Sequence, residues 1–387
     1  MLVSYFDFIG KCILYGSDKD MKRILICTTI LSTVKAFLIP HIQLLQGMGY
    51  TVDIAGNKDV SDLDAVVNNV YDLPFQRNPL SKLNIVAARD LKKIVESNNY
   101  DKIHFHTPIA SALGRWVAKG TRKTGTKVMY TAHGFHFYKG SPVINWLTYY
   151  LAEKFLARYT DVLITINKED YGRAKTFKAK NVKYVPGVGL NIDKFRSILS
   201  DRYEKRSELN VPDDAFLLLS VGELNENKNH GTVIKALAKL NNPNTYYVIC
   251  GVGSNANYLE NLAMELGIAS KVKLLGFRTD IAEICNCSDI FLFPSRREGL
   301  GLAALEAMAS GLPIVTSNVH GIVDYSINGV TGFNYDADDI DGFSWAINEF
   351  IVNKQLIVKM GDYNRKSLKV YELDYVINEM RHIYMNY

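Results

Sequence analysis

Two carboxylates, Glu298 and Glu306, stand eight residues apart in the run Pro294-Ser-Arg-Arg-Glu-Gly-Leu-Gly-Leu-Ala-Ala-Leu-Glu-Ala-Met-Ala-Ser-Gly-Leu-Pro313. An ionised carboxylate only accepts hydrogen bonds, so each suits a ligand that presents paired hydroxyls. If every intervening residue were helical, steps of about 1.5 Å would set the two about 12 Å apart. That is the reach from a ribose to the sugar of a nucleotide sugar. The helix between them, expected from about Gly301 to Ser310, offers free N–H groups and a positive dipole end at its start, a seat for phosphate. Taken singly, either acid also fits a solvated helix end.

The elements that must position these groups are legible around them. Ile290 to Phe293 is an apolar run bounded by Asp289 and Pro294, which suits a buried strand of a parallel sheet covered on both faces. Gly311 and Pro313 stop the helix that follows. In open α/β sheets ligands bind at the carboxyl ends of such strands. Lys102-Ile-His-Phe-His106 is a second expected strand, whose alternation puts His104 and His106 on one side. A third ends at Thr131 in Val128-Met-Tyr-Thr-Ala-His-Gly, so His133 projects from its carboxyl edge. The aromatic residues that follow, Phe135, His136, Phe137, Tyr138, Trp146, Tyr149 and Tyr150, read as a shelf for a sugar ring or polyprenyl chain, or equally as packing. Ile24 to Cys27 is the first strand, followed by a loop from Thr28 to Thr33 and a helix in which Pro40 is tolerated only in the first turn. Tyr71 to Pro79 reads as an irregular loop. Pro186, Gly187 and Gly189 mark a hinge, and Phe216 to Gly222 opens a second α/β unit.

The run from Pro294 to Val315 resembles the Glu-x7-Glu signature of the family-four retaining glycosyltransferases, and the likeness extends over nearly the whole chain from Lys22. It implies the α/β GT-B fold, two Rossmann-like doubly wound domains facing across a cleft. The expected division is a leader at 1–20, an acceptor-binding domain at 21–195, a nucleotide-sugar-binding domain at 196–369, and a helix at 370–387 crossing back to the first domain. His133-Gly-Phe-His-Phe-Tyr-Lys-Gly is similar to a subgroup that elongates lipid-linked oligosaccharides in bacterial surface-polysaccharide synthesis. The resemblance implies transfer of a hexose or N-acetylhexosamine from a UDP-sugar to a polyprenyl-diphosphate-linked glycan. Glu298 would orient the donor sugar, Glu306 the ribose, and His133 would sit near donor sugar and acceptor. Lys228, the N–H groups of Gly299, Leu300 and Gly301, and the turn at Gly222 would receive the diphosphate. Family members usually carry an arginine where this chain has Glu223, so Arg278 or Arg297 is expected to supply the missing charge. His106, Phe135, His136 and Tyr138 are the acceptor-side candidates. With no second carboxylate pair of glycosidase type, the expected chemistry is a front-face attack assisted by the leaving phosphate. No metal or other cofactor is expected, and Asp336-Ala-Asp338 reads as a helix cap.

Three other readings stay open. Gly251-Val-Gly-Ser-Asn-Ala256 after a strand is a weak dinucleotide-binding pattern, but no acid follows at the spacing a ribose needs. A sugar-nucleotide 2-epimerase shares the implied fold, and a non-catalytic sugar-binding homologue is compatible with Glu223.

Composition narrows the setting. A chain of 387 residues is long enough for two α/β domains. No apolar run approaches the ~18 residues of a membrane span. Residues 1–20 carry Asp7, Asp18 and Asp20 and do not read as a signal peptide. They fit a disordered or wrongly assigned start, or a short amphipathic anchor. An odd number of irregularly spaced cysteines favours a reduced cytoplasmic chain. Charge divides unevenly: residues 1–190 hold 26 Lys and Arg against 15 Asp and Glu, while the remainder hold 19 against 25, which together give the overall +5. Such asymmetry suits an anionic partner for the first half. Nucleic acid, a bilayer and a diphosphate substrate all qualify on charge, as does a solvated surface with no partner. The resemblance selects the diphosphate and the inner face of the plasma membrane, with peripheral association and no nucleic acid.

Overall fold

The structure is a computed structural model that describes residues 22–196 and 201–387. The reading of residues 1–20 falls outside the described residues. Two parallel sheets form the molecule. The first contains β1 (Lys22–Ile30), β2 (Tyr50–Asn57), β3 (Asn69–Asp72), β4 (Lys102–His106), β5 (Lys127–Ala132), β6 (Val162–Thr165) and β7 (Asn181–Tyr184), in the order β3-β2-β1-β4-β5-β6-β7. The second contains β8 (Phe216–Val221), β9 (Thr245–Cys250), β10 (Val272–Leu274), β11 (Ile290–Phe293), β12 (Ile314–Ser317) and β13 (Gly332–Tyr335), in the order β10-β9-β8-β11-β12-β13. Each sheet reverses direction of growth beside its first strand, between β1 and β4 and between β8 and β11. These are the switch points at which doubly wound sheets open a crevice.

The apolar runs read from the sequence are the central strands. Every residue of β11 is buried, as are six of the nine in β1 and five of the six in β8. β3 replaces part of the loop expected from Tyr71. It is an edge strand with no buried residue, so it lacks the apolar run that marks the others. β1 continues to Ile30 through an irregularity after Cys27. The next helix opens with a π turn, Val34–Leu38, and Pro40 sits in the first turn of its α-helical part, Ile39–Gly47, where its missing N–H costs no bond. The helix Ile340–Val352 is capped by Asp339, whose side chain accepts from the Gly342 N–H at 2.8 Å. Asp338 does not cap it. Its carboxylate accepts instead from Asn229 and Arg296.

The last helix, Leu373–Asn386, leaves the second lobe and packs on the first. Val376, Met380, Ile383 and Tyr384 join Ile24, Ile26, Leu45 and Met129 in one buried cluster. A short ladder anchors its start: Leu190 N–H donates to the Tyr371 carbonyl and Leu373 N–H to the Leu190 carbonyl. The carboxyl ends of β1, β4 and β5 thereby face those of β8 and β11.

Candidate active site

A cleft of about 560 Å³ lies between the two lobes. The second lobe contributes Gly222, Glu223 and Lys228 after β8, and Arg297 through Ala303 with Glu306 after β11. The first contributes Thr107, Tyr130, His133, Gly134 and His136.

The helix after β11 runs Leu302–Ser310, and its N-cap is Gly301, at φ 89° with no side-chain cap. A Cβ at that position would stand 2.6 Å from the Phe293 ring, so both the left-handed backbone and the lack of space call for glycine. Leu302 and Ala303 line the cleft, so the uncapped first turn opens onto it. Two further glycines let the lobes touch. A Cβ on Gly299 would meet the His133 carbonyl at 1.9 Å, and one on Gly134 would meet the Gly299 Cα at 2.7 Å.

Lys228 passes its stem over Gly222, where a Cβ would be 3.2 Å from its Cδ and Cε. Its ammonium reaches Glu298 Oε1 at 2.6 Å. The two groups assigned to diphosphate and sugar are thus direct partners. Glu306 lines the same cleft and has no ion-pair partner among the described residues. Burial pushes its carboxyl above the usual range, against a smaller opposing effect of Lys194. Arg297 is half-buried in the cleft wall, and its guanidinium has no ion-pair or hydrogen-bond partner among the described residues. Glu223 is exposed at the cleft and likewise unpaired among the described residues. It pairs with neither Lys228, which is held by Glu298, nor Arg297.

Arg278 is not in the cleft. It pairs with Asp280 at 2.5 Å and with Glu208 at 2.5 Å, so its charge is spent within a surface cluster that also holds Lys205. Among the described residues Arg297 is thus the unpaired cation beside Lys228 in the cleft.

On the first lobe, burial lowers His133 to about 4, so it is neutral near pH 7. Its Nε2 shares a hydrogen bond with His106 Nδ1 at 2.9 Å. His106 is itself buried and lowered well below its ordinary value by burial and by its histidine neighbours. It stands behind His133 and does not line the cleft. His136 does, stacked on Tyr149 with ring centres 4.6 Å apart. Its value falls to about 4 through burial, with Arg297 and His320 adding to the effect.

Besides His106, two more acceptor-side candidates lie outside the cleft. Phe135 is buried and stacks on Phe137 at 4.6 Å in the first lobe's core, because the chain turning at Gly134 sends its ring under the sheet edge. Tyr138 stacks on His320 of the second lobe and donates to the Arg296 carbonyl at 3.4 Å. It joins the lobes and is not part of the cleft wall.

One polar network was not anticipated. Asp170 accepts from the Phe135 N–H at 2.8 Å and from Asn167 Nδ2 at 2.9 Å, and lies 2.9 Å from His320 Nε2. Asn167 Nδ2 also donates to the Gly299 carbonyl at 2.9 Å. Asp170, Asn167 and His320 are almost wholly buried. The network therefore fixes the Gly299 loop to the first lobe. Its only trace in the sequence is Asn167-x-x-Asp170, a helix-start pattern in which the Asn167 side chain accepts from the Asp170 N–H.

The chain matches two family models, one described as glycosyl transferases group 1 over residues 201–367 and one as glycosyl transferase 4-like over residues 28–167. It is 36% identical to a putative glycosyltransferase, EpsD, of Bacillus subtilis (strain 168) over 371 residues, which cover 95% of this chain and 97% of the relative. It is 29% identical over 318 residues to the Escherichia coli UDP-Gal:alpha-D-GlcNAc-diphosphoundecaprenol alpha-1,3-galactosyltransferase, covering 78% of this chain and 81% of that one. Among solved structures, Anabaena HepE in complex with UDP and glucose superposes with a TM-score of 0.78 at 19% identity, over 95% of this chain and all (100%) of that chain. WaaG, a glycosyltransferase involved in lipopolysaccharide biosynthesis, does so with 0.71 at 18% identity, over 93% and 99%. At such identities the likeness is one of fold, and that fold is GT-B.

Proposed function

The chain belongs to the group 1 glycosyl transferases, and from that membership and the cleft we propose that it moves a hexose or N-acetylhexosamine from a UDP-sugar to a polyprenyl-diphosphate-linked glycan, with retention, in bacterial surface-polysaccharide synthesis. The observation that carries this reading is a single wall of the cleft. It places an uncapped helix N-terminus, the cations Lys228 and Arg297 and the carboxylates Glu298 and Glu306 on the segments that follow β8 and β11. The activity of the Escherichia coli relative, from UDP-Gal to a diphosphoundecaprenol-linked GlcNAc, and the UDP held by HepE favour the same donor class and a lipid-linked acceptor.

In this mechanism the leaving group is a nucleoside diphosphate, so the site must neutralise charge at its β-phosphate. Lys228, Arg297 and the first amides of Leu302–Ser310 do so. As the ammonium turns to the phosphate, Glu298 keeps one oxygen for it and offers the other to a sugar hydroxyl. Glu306, with no cation of its own, accepts from the ribose hydroxyls. A neutral His133 donates or accepts one hydrogen bond at the sugar and adds no positive charge beside an oxocarbenium-like centre. The acceptor hydroxyl attacks from the face the phosphate leaves, which takes its proton. Charge neutralisation by side chains and amides makes the reaction independent of metal. Activity is expected to persist in EDTA, and its abolition with rescue by magnesium would contradict that.

The test is a panel of labelled UDP-sugars incubated with lipid-linked mono- and disaccharides. Transfer to lipid supports the reading. Epimerised nucleotide without transfer, or no turnover of any donor, overturns it. A Glu298→Gln variant with full turnover would remove the proposed sugar contact.

A further inference from the structure

Residues 143–156 of the first lobe form one helical segment with a π turn in its middle, Trp146–Tyr150, between Val143–Asn145 and Leu151–Leu156. Its apolar side chains divide into two sets. Trp146, Tyr149 and Tyr150 pack inward against the core of the lobe. Val143, Leu147, Leu151 and Phe155, spaced four apart, are 72%, 61%, 53% and 41% exposed, and Ile144 beside Val143 is 61% exposed. Side chains four residues apart drift by about 40° per step around a straight α-helix. The wider π turn takes back part of that drift, so the four keep to one face. Exposed apolar residues scattered singly need no explanation, whereas an ordered stripe of them does.

The charges around the stripe share one sign. Between 139 and 158 the exposed charged residues are Lys139, Lys154 and Arg158, and the one acid, Glu153, is buried against Arg115 at 2.8 Å. Lys119 and Lys123 are exposed on the adjoining segment. At the end of the stripe Phe155 meets Trp116 and Tyr159, with the Lys119 ammonium 3.2 Å from the Trp116 ring centre and the Arg158 guanidinium 4.4 Å from that of Phe155. Aromatic rings under cations on long stems suit the boundary between headgroups and acyl chains, where the ring buries and the charge stays wet.

We propose that this face docks the enzyme on an anionic lipid bilayer, with the helix 143–156 lying in the interface plane and not crossing it. Among the described residues no helix is long and apolar enough to cross a membrane. The placement gives the lipid-linked acceptor its route, a point that rests on the function proposed above. On its inner side the helix lends Tyr149 to a cavity of about 240 Å³ shared with Arg77, Ile109 and His136, and His136 also lines the inter-lobe cleft. Arg77 is exposed and has no ion-pair partner among the described residues, so it can meet the lipid's diphosphate. An acceptor held in the leaflet under the stripe would enter there without leaving the membrane.

The experiment is flotation of the full chain with vesicles of phosphatidylglycerol and phosphatidylcholine, against pure phosphatidylcholine. Wild type is expected to float with the anionic vesicles, less so in high salt, where the screening length falls to about 3 Å at 1 M. Leu147→Glu/Leu151→Glu and, separately, Lys154→Glu/Arg158→Glu are expected to weaken that binding by about tenfold or more. Transfer to a water-soluble short-chain acceptor should be unchanged. These positions are exposed, and circular dichroism checks that each variant folds. Variants that float like wild type would overturn the face while leaving membrane association standing. Wild type that ignores anionic vesicles, or a dimer that the Leu147→Glu/Leu151→Glu change dissolves, would overturn the bilayer as occupant. If no sugar is transferred to any acceptor yet flotation follows the stripe, the catalytic reading fails alone.

Discussion

At the scale of single residues, the chemistry of the cleft depends on which cations remain available to an anionic ligand. Lys228 is bound to Glu298 at 2.6 Å, and Arg278 is held by two carboxylates outside the cleft. Arg297 alone of the three is unpaired and faces the site. Arg297→Ala is therefore expected to lower kcat/KM by about 10²-fold, the scale of losing one charge-stabilising donor, and to weaken UDP binding measured by calorimetry. Arg278→Ala should leave kcat/KM within about twofold and cost about 1 kcal/mol of stability, as for a partly exposed ion pair. The reverse pattern would assign the missing charge to Arg278 after all. Glu298 and Glu306 are legible as cleft residues because strand, turn and helix signals surround them at close range, whereas Lys228 is legible only through the family resemblance. Arg278 was misjudged because one partner, Glu208, lies 70 residues away in the chain, and no local pattern shows that the other, Asp280, folds back onto it. Phe135 was misjudged because an aromatic residue beyond a glycine turn packs inward or outward according to neighbours, here Phe137 and Phe177, that no local pattern reveals.

At the scale of elements, the helix Leu302–Ser310 owes its aim to Gly301. Gly301→Ala forces a Cβ into a left-handed backbone and against the Phe293 ring. Such strain costs of order 1–3 kcal/mol, and the chain relieves it by shifting the first turn, whose amides the proposed mechanism sets against the phosphate. The expected outcome is a lower melting temperature together with a loss of about 10²-fold in kcat/KM. A variant with the wild-type rate would show that the amides do not touch the reacting phosphate. The strands that frame this helix announce themselves in sequence because a parallel sheet covered on both faces needs continuous apolar runs. β3 does not, since an edge strand in this sheet needs no such run. The cap of the helix Ile340–Val352 moved by one residue, from Asp338 to Asp339, because three aspartates in four residues offer the same hydrogen bond and only the fold chooses among them.

At the scale of the whole molecule, the lobes are joined by a histidine-rich seam whose protonation is coupled to folding. His104 is wholly buried between Thr131 Oγ1 and the Tyr384 hydroxyl, each at 2.8 Å, so a first-lobe strand holds the helix that closes the chain. His106 and His133 continue the row toward the cleft, with His104 and His106 ring centres 4.2 Å apart. Burial lowers His104 to about 3 and His133 to about 4, and His106 well below its ordinary value. In the unfolded chain each would take a proton near pH 6.5. Between that pH and the folded values the unfolded state binds more protons, so stability is complete above about pH 6.5 and falls as acid is added. His104 and His133 should each cost about 2 kcal/mol on going from pH 6.5 to pH 5, and His106 adds to the loss in the same direction. Denaturant unfolding across this range measures the slope directly, and hydrogen exchange in Leu373–Asn386 should quicken as the Tyr384 contact weakens. The same titration says where activity ends. His133 stays neutral down to about pH 4, so transfer should fail on acidification through loss of the fold and of the last helix, before the histidine at the cleft gains its charge. Stability that is flat from pH 6.5 to 5, or activity lost there while the fold holds, would place these histidines in water and detach the seam from the site.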